Sequence, residues 1–149
     1  LHKKAKTVIE GMRAHMIVSI DSLNQKNYEY IRKNARFDKM IEHFHYFLDY
    51  TRRKNTGLSI ACCPMQQNWW DLPEIVEFAN EHEVEVYFNT VTWPPEASLK
   101  MMDETELKKV IDFLEYRPLK GNSPMNLQNI SRFMDVISQI KSYVGVVPA

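Results

Sequence analysis

Ser19 and Asp21 stand two residues apart at the end of an apolar, β-branched run. On a strand that spacing turns a hydroxyl and a carboxylate to the same side. Such a pair can hold a ribose diol or an ammonium group, and Asp21 can equally well cap the helix that follows. Two further runs combine short polar side chains with aromatic ones: Cys63-Pro64-Met65-Gln66-Gln67-Asn68-Trp69-Trp70 and Asn89-Thr90-Val91-Thr92-Trp93-Pro94. All three tryptophans of the chain lie in these runs. They are expected either to wall a polar pocket or to cover the rim of the fold.

Metal chemistry is not expected from these residues. Cys62 and Cys63 are the only cysteines, and as neighbours on a strand they face opposite ways. His43 and His45, two apart on a helix, diverge by about 200°, unlike the same-face histidines of an i, i+4 metal pair. No Ser-His-Asp set and no glycine-rich phosphate loop is present, and the chain has only 4 glycines.

The elements that must position these residues follow from pattern. Apolar, β-branched stretches predict strands at about 15–20, 58–63 and 84–90. Between them the periodicity predicts a short helix at 26–33 and a longer one at 38–53, with Met40, Ile41, Phe44, Phe47 and Leu48 on its inner face. Arg52, Arg53 and Lys54 close that helix, where positive charge suits its dipole. Asp71, Pro73 and Glu74 read as a capping box, and Asp103 caps a helix carrying Leu107, Val110, Ile111 and Leu114. A loop at 118–124 precedes a last helix at 127–144, with Ile130, Phe133, Met134, Ile137 and Ile140 on one side.

Strand–helix–strand alternation implies parallel pairing and right-handed crossovers. Three such strands cannot close a barrel and would leave two open edges. The expected fold class is therefore α/β, a fragment of a larger barrel. In such folds chemistry sits in the loops at the C-terminal ends of the strands, which is where the polar and aromatic runs fall. The opening residue, Leu1, lies inside a helical pattern that runs to Glu10, which suggests a cut edge.

The 149 residues make one domain, 44% hydrophobic and 26% charged, within the range of globular chains. Lys plus Arg and Asp plus Glu each total 19, so no net field draws the chain to nucleic acid or an anionic membrane. No apolar run reaches the ~18 residues of a membrane span. Adjacent cysteines argue against a disulfide framework and point to a reducing, cytoplasmic setting.

Taken in order, Ser19-Ile20-Asp21-Ser22-Leu23, then Tyr28-Glu29-Tyr30-Ile31-Arg32, then Phe37-Asp38 resemble the fourth strand and following helices of radical S-adenosylmethionine (radical SAM) barrels. Cys63-Pro64-Met65, Asn68-Trp69, Leu72-Pro73 and Phe88-Asn89-Thr90-Val91 look like the fifth and sixth strands of a subgroup described as iron–sulfur oxidoreductases. The resemblance implies that residues 1–117 form the C-terminal half of a partial (β/α)6 TIM-like barrel, with 118–149 a loop and helix of unassigned role. It implies S-adenosylmethionine and a 4Fe-4S cluster as cofactors of the parent enzyme. The cluster is held by a CxxxCxxC loop in an N-terminal half that this chain does not contain, and that half is the implied partner. By position, Ser19 and Asp21 would face the ribose and amino-acid moiety of the cofactor. Arg32 would meet its carboxylate, and Asn68 would line the same site. Asn89 and Trp93 would face a substrate whose identity the sequence does not give. The competing expectation is a non-catalytic α/β module that binds a ligand or protein on its tryptophan-bearing loops.

Overall fold

The computed structural model describes residues 1–145; the end of the 118–149 segment, residues 146–149, lies outside them. The element order is α1 (Lys3–Glu10), β1 (Met16–Ser19), α2 (Gln25–Ile31), α3 (Phe37–Lys54), β2 (Leu58–Cys62), α4 (Leu72–Glu81), β3 (Glu85–Phe88), α5 (Glu104–Glu115) and α6 (Pro124–Lys141). Single 3-10 turns lie at Trp69–Asp71 and Leu99–Met101.

The three strands form one parallel sheet in the order β1-β2-β3, flanked by helices. Sequential order with right-handed crossovers brings α3 and α4 onto the same face. Val18, Ile60 and Val86 lie side by side in register on that face. They enter one core with Met40, Phe44 and Leu48 of α3 and Ile75, Val76 and Ala79 of α4. Each large side chain so buried contributes about 1.5–3 kcal/mol.

The opposite face carries Ile17, Ser59 and Glu85 in one row and Ser19, Ala61 and Tyr87 in the next. It is only partly covered: Ile17 is 57% exposed, and Ser19 is exposed as well.

Local signals account for most helix boundaries. Asn55 ends α3 in the left-handed region, φ 50°, which asparagine tolerates better than most residues. Asp103 accepts the Glu106 N–H at the start of α5. Ser123 caps α6, accepting the Asn126 N–H, with Pro124 in the first turn, so this helix begins three residues before the expected 127. Gly57 allows a close approach, since a Cβ there would stand 2.5 Å from His15 Nδ1 and the imidazole would have to move.

Three expectations are corrected. The Asp71 side chain makes no cap bond at the start of α4, because its carboxylate is engaged by Ser22 and Asn27. The buried stripe of α6 is Asn126, Asn129, Phe133, Val136, Ile137 and Ile140, while Met134 is 50% exposed. The sheet does not leave both edges open, because α6 closes β3. Val86 donates its N–H to Asn129 Oδ1 (2.9 Å), Asn129 Nδ2 donates to Val84 O (2.9 Å), and Arg132 Nη1 donates to Val86 O (2.9 Å). Buried edge groups are thereby paired by side chains in place of a fourth strand.

Candidate functional site

The loops after β1 and β2 meet at the C-terminal end of the sheet through one carboxylate. Asp21 Oδ1 accepts the Cys63 N–H (2.9 Å), and its Oδ2 accepts Arg32 Nε (2.8 Å) and Nη2 (2.7 Å). The Asp21 side chain is 4% exposed and that of Arg32 34%. Asn68, fully buried, donates from Nδ2 to Asp21 O (2.7 Å) and Cys63 O (2.9 Å) and accepts the Met65 N–H (2.7 Å). A second carboxylate repeats the arrangement one layer away. Asp71 Oδ2 accepts Ser22 Oγ–H and Asn27 Nδ2, and Asn27 Nδ2 also donates to Gln67 O. Buried carboxylates are tolerated when paired and hydrogen-bonded in this way.

Asp21, Arg32 and Asn68, separated in sequence, are thus brought together, but their polar atoms are engaged with one another and with loop backbone. Asp21 does not cap the following helix; Asn24 does. Ser19, expected to share a side with Asp21, is exposed while Asp21 is buried. Asn89 is exposed at the end of β3, its N–H donating to Cys62 O, and Trp93 is 79% exposed on the loop beyond. Trp69 packs edge-on against Phe113 of α5, ring centroids 5.3 Å apart, and against Trp70 at 5.2 Å. The small cavity beside the end of β3, lined by Pro64, Phe88, Leu99, Val136 and Tyr143 among others, holds about 20 Å³ and has no tryptophan in its lining. That volume suits a single water.

A polar row crosses the partly covered face. His15 Nε2 lies 2.8 Å from Ser59 Oγ, which donates to Glu85 Oε2 (2.8 Å), and Arg132 Nη2 pairs with Glu85 Oε1. Because the Ser59 proton is directed at Glu85, His15 serves as donor to the hydroxyl and not as its base. The Arg132 guanidinium, and then the Ser59 hydroxyl, hold the Glu85 carboxyl below its ordinary value. This row was not legible in the sequence, since its members lie 26 to 47 residues apart.

Burial first, and the Asp21 charge second, push the Cys62 thiol well up and the Cys63 thiol up, so neither is an activated nucleophile. Cys62 is fully buried and Cys63 half-buried. Among the described residues, no three His, Cys, Asp or Glu side chains converge on a position for a metal ion. An iron–sulfur cluster, which needs several convergent thiolates, does not fit the residues present. Among the described residues, no helix is long and apolar enough to cross a membrane.

Searches against protein families, curated proteins and solved structures find no match for this chain.

Proposed function

We propose that this chain is the C-terminal half of a radical SAM barrel, supplying three strands of a partial (β/α)6 TIM-like barrel. The observation that carries the reading is the one-sided winding of the sheet. Crossover helices lie on one face, while Ile17 and Ser19 on the other face remain exposed and β1 has a strand neighbour on one side only. A doubly wound sheet would cover both faces; a barrel keeps one face for its interior. The ordered motifs from Ser19 to Val91 supply the specific family.

In this reading the N-terminal half brings the cluster loop, and reductive cleavage of S-adenosylmethionine is the chemistry the cofactors supply when bound. The residues of this chain position and shield. Asp21 and Asn68 fix the two loops that form the rim, Ser19 and the outer edge of Arg32 meet the cofactor, and Asn89 and Trp93 meet the substrate. The two unpaired cysteines suit a reducing cytoplasm.

The test uses the full-length gene product, reconstituted anaerobically with iron and sulfide and given S-adenosylmethionine and dithionite. Formation of 5′-deoxyadenosine is expected. A full-length product without a three-cysteine loop, or one that takes up a cluster and cleaves nothing, would leave a non-catalytic α/β binding module in its place.

A further inference from the structure

The two edges of the sheet are treated differently, and the difference specifies an association. At β3 the outward backbone groups of Val84 and Val86 are closed by Asn129 and Arg132. At β1 the ladder to β2 uses the Met16 N–H (to Gly57 O) and the Ile20 N–H (to Ala61 O). Alternation along a strand therefore turns the N–H and C=O of Ile17 and Ser19 outward, and no described residue pairs with them. The apolar side chain of Ile17 on this strand is itself 57% exposed. The groove beside it, lined by Ser19, Tyr28, Arg36, Lys39, Met40 and Phe47 among others, holds about 350 Å³.

We propose that the chain forms a closed two-fold dimer by antiparallel pairing of β1 with β1 of a second copy. With Val18 opposite the partner's Val18, Ile17 faces the partner's Ser19 and Ser19 the partner's Ile17, so every outward group of both strands finds a donor or acceptor. The helix rim beside the edge is self-compatible in charge, since Arg36 is matched by Asp38 and Lys39 by Glu42. Because Asn129 and Arg132 occupy the Val84 and Val86 groups of β3, that edge offers no continuous ladder, and pairing ends at two copies rather than running on into a fibre. This inference does not rest on the radical SAM reading, in which the N-terminal half would occupy the same edge of β1; the second copy is the occupant proposed for the chain on its own. It concerns the 149-residue chain, whereas that reading is tested on the full-length product.

Light scattering coupled to gel filtration across a concentration series of the 149-residue chain decides it. The expected mass is twice 17.6 kDa, falling toward the monomer on dilution. Ile17→Lys places a charge on the exposed edge, and Ile17→Pro removes an outward donor that β2 does not use. Both are expected to give folded monomer by circular dichroism at concentrations where the parent chain is dimeric. A parent chain that is monomeric throughout, that grows without limit, or whose dimer survives both substitutions overturns the proposal. If both variants unfold, oxidation of an equimolar mixture of Ile17→Cys and Ser19→Cys chains decides, because these two positions stand directly opposite in the proposed register: a mixed disulfide forming faster than between Ser19→Cys and exposed Thr105→Cys chains supports the pairing, and equal rates overturn it.

Discussion

Asn129 Oδ1 accepts the Val86 N–H across 43 residues of sequence, at 2.9 Å and in a fully buried setting. The same amide donates to Val84 O and to Asn80 Oδ1, so one side chain does for the edge of β3 what a neighbouring strand would do. An apolar residue of similar size would leave the Val86 N–H and the Val84 carbonyl without partners.

Asn129→Leu is therefore expected to destabilise the chain by about 2–4 kcal/mol, the usual range for stranding a buried donor and a buried acceptor. Urea unfolding measures this. The Val86 amide should also exchange with solvent faster relative to Ile60, whose core position is unchanged. Loss of stability without faster exchange at Val86 would show that the effect arises elsewhere.

Asp21 joins two loops, so its removal is felt first in the fold. Asp21→Ala is expected to cost about 2–3 kcal/mol, below the 3–5 kcal/mol typical of a wholly buried pair because Arg32 retains contact with water. Arg32→Ala should cost less, about 1–2 kcal/mol, since the Cys63 N–H still satisfies one carboxylate oxygen. A double-mutant cycle between the two should return a coupling of about 1 kcal/mol or more. Strict additivity would mean that the ion pair contributes nothing.

The acid limb of stability should report Glu85. Its carboxyl titrates below the ordinary 4.5, chiefly through Arg132 and then Ser59. Between its folded value and 4.5 the unfolded chain binds more protons than the folded one, so stability rises with pH there. The contribution is fully present above about 4.5 and is lost as pH falls through the folded value. Urea midpoints from pH 2.5 to 7 should thus fall less steeply on acidification in Glu85→Gln than in the parent chain. Identical pH profiles would show that the Arg132 contact is too solvated to matter.

Much of this architecture is legible without coordinates. The β-branched runs at 16–19 and 58–62 and the apolar spacing of Met40, Phe44 and Leu48 have one physical outcome, since both periods turn large side chains to a single side. The last helix shows where that logic fails. Counting asparagine as a surface residue turns the helix so that Met134 faces in, whereas the buried stripe begins with Asn126 and Asn129. These two are inside because they face backbone groups of β3 and α4, a need set by tertiary packing and invisible in local pattern. Asp71 is a similar case. Its position before Pro73 marks the helix start, but Ser22 and Asn27 arrive from the preceding unit and claim the carboxylate. At the candidate site, the residue types of Asp21, Arg32 and Asn68 signalled polar work at the rim. That they would bind one another depended on loop geometry.

The His15 ring resting over Gly57 has a consequence for sequence drift. The glycine has an unexceptional backbone conformation, so what a larger residue would meet there is the neighbouring imidazole, 2.5 Å from where a Cβ would be, which must then move aside. The constraint belongs to the pair. In a descendant that replaces His15 with a small residue, position 57 becomes free to accept alanine or serine, and the same change severs the first link of the row through Ser59 to Glu85. Positions 15 and 57 should accordingly vary together, and the partner set of Ser59 should change with them.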